Sequence, residues 1–158
     1  MFAGEFKHSI DAKNRIVIPS KFRAFITDAE DRKGFFILAS PVPGEHCLRL
    51  YTRSGWELVT RTLMGGADKA KDPARYLRFF ASRAEFGGVD AQSRLVIPQK
   101  LIGYAGLKGD VLMVGNVMWI EVWNVDEYRA ATESLDEEIG DRVRSLWPGL
   151  QAGDAGRG

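Results

Sequence analysis

One cysteine, Cys47, stands in the 158 residues. It excludes an internal disulfide and any metal site built from several thiolates. Histidine is nearly as scarce, with only His8 and His46, and two imidazoles with one thiol make a poor zinc site. His46 and Cys47 are sequence neighbours, whereas a Cys–His catalytic pair draws distant residues together and needs a third group to orient the base. No such group is present, so a structural role is the reading for both. Gly65-Gly66 is not followed by the Lys-Ser/Thr of a phosphate-cradling loop. No apolar run approaches the roughly 18–20 residues of a membrane span, and the first residues lack the basic-then-apolar order of a signal peptide. Excess charge is missing too: the net charge is +1, which argues against a generic polyanion binder. These absences imply a non-enzyme with no cofactor, no metal, no small-molecule substrate and no membrane partner, in a reducing, cytoplasmic setting.

What is present is a duplication. Residues 11–19 read Asp-Ala-Lys-Asn-Arg-Ile-Val-Ile-Pro, and residues 90–98 read Asp-Ala-Gln-Ser-Arg-Leu-Val-Ile-Pro, 79 positions later. A pattern that one chain produces twice is a structural unit rather than a coincidence. The repeat extends outward. Lys21 matches Lys100 at the same separation, and Glu5-Phe6 matches Glu85-Phe86 after a one-residue shift. Leu48 to Tyr51 resembles Ile120 to Trp123 at a separation of 72. The first half thus carries about seven extra residues, and Asp28 to Gly34 and the turn at Pro41 to Gly44 are the natural places for them.

Each repeat reads as strand, turn, strand, short helix, strand pair, helix. Ile16 to Ile18 and Leu95 to Ile97 are β-branched-rich runs ended by Pro19 and Pro98. Short helices are expected over Ser20 to Phe25 and Gln99 to Tyr104. Phe35 to Leu38, Val111 to Val114, Leu48 to Tyr51 and Trp119 to Trp123 are the remaining strands. Trp56, Val59, Leu63 and Met64 keep helical spacing. Asp72-Pro73 opens a helix to about Arg83, and an apolar stripe marks one last helix from about Val125 to Trp147. The expected organisation is a first repeat over 1–66, a connecting helix over 67–83, a second repeat over 84–147 and a flexible tail from 148 to 158. The aromatics fall in these strands and stripes, which points to packing rather than base stacking.

Charge is unevenly spread. Residues 1–25 hold five cations against two carboxylates, a local +3, and residues 69–83 hold five against one, a local +4. Residues 126–147 hold seven carboxylates against three arginines, a local −4. Either a polyanion-facing side or merely solvated helix faces would give this pattern.

The repeated Asp-x-x-x-Arg carries the chemistry. Aspartate opens turns because its carboxylate accepts backbone N–H groups two residues on. Arginine past the turn offers a planar, always-charged fork that matches phosphate or the O6/N7 edge of guanine. Asp11 with Arg15, and Asp90 with Arg94, could equally pair across their turns and stiffen them; both roles can hold at once. Lys13 adds a cation to the first turn where the second has Gln92. Asn14 tolerates a left-handed backbone better than Ser93 does.

The order Met-Phe, Asp-x-Lys-x-Arg-x-x-x-Pro, Lys-Phe-Arg, then a second Asp-x-x-x-Arg-x-x-Ile-Pro and an aromatic-rich strand resembles the bacterial MraZ family over roughly residues 1–147. The resemblance implies an α+β, β-rich fold of two SpoVT/AbrB-type repeats, interlocked as an intramolecular swapped-hairpin, barrel-like core with flanking helices. It implies a sequence-specific, DNA-binding transcriptional regulator of the division and cell-wall gene cluster, its own gene included. It also implies a ring-shaped homo-oligomer on promoter direct repeats, and a nucleoid-associated location. The DNA-contacting motif maps onto Asp11 and Arg15, and onto Asp90 and Arg94. Lys13, Lys21 and Arg23 are the expected phosphate contacts, and Lys100 is the counterpart of Lys21. Many relatives have glycine before the motif arginine where this chain has Asn14 and Ser93. The expectation is therefore that residues 11–19 read DNA while residues 90–98 mainly complete the fold. Two rival readings are a ring-forming protein-interaction module without specific DNA binding, which the acidic last helix would suit, and a hydrolase pairing Asp11 with Asp90. The second is remote, because the repeat needs both aspartates as turn openers.

Overall fold

The computed structural model describes residues 1–65, 73–133 and 135–146. The linker residues 67–72, Trp147 and the tail expected from residue 148 lie outside them. Two compact units are present, Met1–Val125 and Asp126–Gly158.

The first unit holds eight strands: β1 Glu5–Ser9, β2 Arg15–Val17, β3 Gly34–Ala39, β4 Cys47–Tyr51, β5 Glu85–Gly88, β6 Arg94–Val96, β7 Asp110–Asn116 and β8 Trp119–Asn124. Four helices accompany them: α1 Ser20–Phe25, α2 Arg53–Gly65, α3 Pro73–Ala81 and α4 Gln99–Tyr104. Pro19 and Pro98 sit at the N-caps of α1 and α4. Six strands form one antiparallel sheet in the order β1-β7-β8-β4-β3-β5, and β2 pairs with β6 in a separate ribbon. The first strand of each repeat therefore lies against the other repeat: β1 on β7 and β5 on β3. The halves are continuous in sequence but exchanged in space. The barrel-like core expected from the sequence is not found. Among the described residues β1 and β5 are open edges of the larger sheet, and the ribbon is only three residues deep before a proline, lacking an N–H, ends each strand.

Two pairs place an internal two-fold axis. Ile16 faces Leu95 in the ribbon, and Arg49 faces Glu121 in the sheet. Each residue is paired with its own repeat counterpart, 79 positions away in the first case and 72 in the second. Ile37 and Met113 are partnered by the counterparts Leu50 and Val122, and stand 76 apart. The extra length of the first half is thus three residues before β3 and four between β3 and β4.

The same registers remove the expected one-residue shift. Phe36 pairs with Phe86 while its counterpart Leu112 pairs with Lys7, so Lys7 and Phe86 are equivalent, 79 apart. A slip of one residue turns a strand over. Phe6 accordingly faces inward, edge-on to Phe22 at 4.9 Å, whereas Phe86 faces outward and is 56% exposed.

The core lies between the layers. Ile16, Ile18, Leu95 and Ile97 from the ribbon segments and Phe22 from α1 meet Ile37, Leu48, Leu50, Met113, Ile120 and Val122 from the sheet, all fully buried. Each such side chain contributes roughly 1.5–3 kcal/mol on burial. On the other face of the sheet, Trp56 of α2 stacks on Phe36 at 5.2 Å. Asp31, in a short 3-10 turn, accepts the Ser54 amide at 2.8 Å at the start of α2.

The second unit holds α5 Val125–Thr132, which starts on the last residue of the first unit, and α6 Leu135–Leu146. The single helix expected there is two. Thr132 is the last residue of α5, and its hydroxyl donates back to the Tyr128 carbonyl at 2.8 Å.

Candidate nucleic-acid interface

Both Asp-x-x-x-Arg segments fold into the same turn. Asp11 Oδ1 accepts the amides of Lys13 and Arg15, both at 2.9 Å, and Oδ2 accepts Arg15 Nε at 2.7 Å. Asp90 repeats this with Gln92 and Arg94, at 2.9, 2.9 and 2.7 Å. The amide bonds from Arg15 and Arg94, with the guanidinium beside each carboxylate, hold both aspartates below their ordinary pKa. Asn14 and Ser93 take φ of 58° and 61°. Ser93 thus adopts the left-handed backbone as fully as Asn14. Lys13 lies in the turn itself rather than in the strand that carries Arg15.

Pairing within each turn does not consume the arginines. Nε is bound, which fixes the plane of the guanidinium. Among the described residues the Nη groups of Arg15 meet no partner, and Arg94 Nη2 reaches only Gln92 Oε1 at 3.0 Å. Register then joins the turns. Arg15 faces Val96 and Arg94 faces Val17, so the four side chains share the outward face of the ribbon while Ile16 and Leu95 fill the inward one. The two arginines are diagonal neighbours, with Cα atoms on the order of 7–8 Å apart. Val17 and Val96 beside them are 41% and 52% exposed.

The remaining expected residues scatter. Lys13 is exposed and has no ion pair among the described residues. Lys21 lies over the Phe6 ring at 5.6 Å. Lys100 is ion-paired with Glu85. Because Phe6 and Glu85 are equivalent positions, one contact has been built twice with different chemistry. Arg23, expected beside the first turn, sits beside the second: it shares a cavity with Asp90 and Ser93. Sequence reasoning missed Arg32, which lines the same cavity. Its signal was its place in the extra length of the first half.

A family model described as "MraZ protein, putative antitoxin-like" matches residues 1–79 and again 80–142. The chain belongs to the MraZ family. The Transcriptional regulator MraZ of Acetivibrio thermocellus is 37% identical over 149 residues, covering 92% of this chain and 99% of the relative. That of Clostridium tetani is 33% identical over 148 residues, with the same coverage. The two MraZ matches meet between Phe79 and Phe80, inside α3, so each takes in one turn, one strand of the ribbon and three strands of the sheet. The family is one of regulators rather than enzymes. No helix among the described residues is long and apolar enough to cross a membrane.

Proposed function

We propose that this protein is a DNA-binding transcriptional regulator that reads duplex DNA with the outward face of the β2–β6 ribbon. One observation carries the reading: Arg15 and Arg94, each held by its own aspartate, lie diagonally on one exposed face. The major groove admits a two-stranded β-ribbon, and a held guanidinium suits the O6/N7 edge of guanine. Lys13, Lys21 and Arg23 serve as phosphate contacts that set register, with Lys100 a weaker one because Glu85 engages it. The two turns act as one reader, rather than the first reading alone. The names of the relatives support the regulatory role.

The exchange of β1 and β5 is read as the intramolecular counterpart of a swapped-hairpin dimer. Two arginines per protomer bind one site weakly. A ring-shaped homo-oligomer on promoter direct repeats of the division and cell-wall cluster, its own gene among them, would turn these into tight binding through effective concentration. Exposed Phe25, Leu58, Tyr76 and Phe79 support self-association. The location that follows is cytoplasmic and nucleoid-associated.

The test begins by sequencing the bacterial genomic fragments that the pure protein retains, then measures anisotropy on the retained duplex. Arg15→Ala and Arg94→Ala should each lose about 1–3 kcal/mol per engaged subunit. Binding by both variants as tight as wild type, with the oligomer intact, would refute the reading. Retention of no DNA would leave the ring-forming interaction module in its place.

A further inference from the structure

Arg23 and Arg32 line one cavity of about 410 Å³ with Ile18, Ser20, Asp90 and Ser93. Each guanidinium is tethered through Nε to a backbone carbonyl, Arg23 to Ile18 at 3.2 Å and Arg32 to Ile26 at 2.8 Å. Neither has a carboxylate within ion-pair distance among the described residues. The one acid in the cavity wall, Asp90, is already engaged by two amides and by Arg94. Two oriented forks without counter-ions therefore face one space, with Ser20 and Ser93 at its wall. Guanidinium forks match tetrahedral oxyanions bidentately.

We propose that this cavity is a phosphate-binding site formed between the repeats, with Arg32 as its unrecognised half. Arg23 comes from α1 of the first repeat and Arg32 from that repeat's extra length, yet both serve the turn of the second. The internal two-fold does not reproduce the site: the counterpart of Arg23, 79 positions on, is the buried Ile102. The chemistry is that of a phosphodiester or phosphomonoester oxygen. A DNA strand lying along the ribbon supplies the first, which rests on the reading above; free phosphate or a phosphorylated metabolite supplies the second. With DNA as the source, the site sets register at the turn that lacks a lysine, since Gln92 stands where the first turn has Lys13.

The experiment is arginine footprinting of the unmodified full chain. Phenylglyoxal labelling, read peptide by peptide, is compared without addition, with inorganic phosphate and with the retained duplex, using the exposed Arg61 as internal control. Protection of Arg23 and Arg32 by duplex, with Arg32→Gln lowering the slope of log K against log salt by about 0.9 per engaged subunit, supports a DNA phosphate. Protection by inorganic phosphate alone, with that slope unchanged, supports a free anion. Labelling of both arginines at the control rate under either addition overturns the site. If the protein binds no duplex, the DNA reading fails by itself and the phosphate arm still decides. Arg32→Lys, which keeps the charge, should keep the slope.

Discussion

Ile97 donates its backbone N–H to the carbonyl of Asn14 at 2.8 Å, and Ile18 makes the same bond to Ser93 at 2.9 Å. Each left-handed turn residue is thus held by the strand of the other repeat. The clamp explains why neither turn needs glycine: the pairing partner supplies the constraint that a permissive residue would otherwise relieve. It also ties the two arginine-bearing turns into one rigid object, which a guanidinium meant to read a base edge requires.

Ser93→Gly should stabilise the protein by about 0.5–1 kcal/mol. Relief of the left-handed backbone outweighs the greater freedom of glycine in the unfolded chain. Asn14→Gly should gain less, because asparagine tolerates that conformation and its Nδ2 donates to Gln99 Oε1 at 2.8 Å. Urea unfolding of the three proteins decides it; equal gains at both positions would contradict the argument.

Much of this was legible in the sequence for a physical reason. Strands with a buried face alternate, proline favours a helix start, and a duplicated motif repeats both. The seven extra residues fall in two loops, before β3 and between β3 and β4, because loops tolerate added length. The match of Glu5-Phe6 to Glu85-Phe86 misled, since identity of residue type says nothing about which face of a strand a side chain takes. The pairing of β1 with β7 and of β5 with β3 is not legible in the sequence, because strand partners are long-range and leave no local signal. Arg23 beside the second turn was hidden for the same reason. The break after Thr132 was masked by a stripe that continues through it.

Asp11 and Asp90 should make the fold acid-sensitive. Their folded pKa values lie below the unfolded value, so their contribution is present above about pH 3.9 and is lost as pH falls through the folded values. Asp11→Asn with Asp90→Asn should flatten the acid limb of a stability profile, read by circular dichroism between neutral pH and strong acid. An unchanged limb would show that the turns do not depend on the charged carboxylates. The same pair of substitutions should weaken DNA binding at neutral pH, since Arg15 and Arg94 lose their anchors.

Gly34→Ala should cost about 3 kcal/mol, at the upper end for overpacking. A Cβ there would meet the Gly87 carbonyl oxygen at 2.2 Å. That atom is backbone in the adjacent strand β5, so relief requires parting β3 from β5, one of the pairings that join the repeats. Gly44→Ala is the control for added bulk: its φ of 85° carries strain, but a Cβ meets nothing within 4 Å. Chemical denaturation should rank Gly34→Ala well below Gly44→Ala.

Cys47 should be inert in the folded state. Burial in the sheet, with the Glu121 and Glu45 carboxylates nearby, raises its thiol to about 12. A thiol reagent at pH 8 should therefore label it no faster than the chain unfolds, and denaturant should release one thiol per chain. The sign is opposite to that of the aspartates: a raised thiol contributes stability below its unfolded value of about 8.5, and this is lost as pH rises towards 12. Prompt labelling without denaturant would place Cys47 at an accessible position.

Glu121 sits on the internal two-fold with both carboxylate oxygens occupied, accepting from Asn116 and Trp119 at 2.9 Å and from Trp123 at 3.0 Å. Its facing partner Arg49 reaches only 4.0 Å from Oε1, with its buried Nε meeting no hydrogen-bond partner among the described residues. The guanidinium instead lies 4.7 Å over the Trp119 ring and bonds Glu45 at 3.2 Å. Glu121→Ala leaves the Asn116, Trp119 and Trp123 donors without their acceptor and Arg49 with Glu45 alone, so it should cost about 3–5 kcal/mol. Glu121→Gln should be milder in packing but still lose the charge that faces Arg49. A double change, Arg49→Met with Glu121→Met, should recover only the part of the loss that comes from Arg49, because the Asn116, Trp119 and Trp123 donors still lack an acceptor. A double-mutant cycle in urea measures this coupling. Additive losses would mean that the tryptophan and asparagine donors, rather than Arg49, are what Glu121 is there to satisfy.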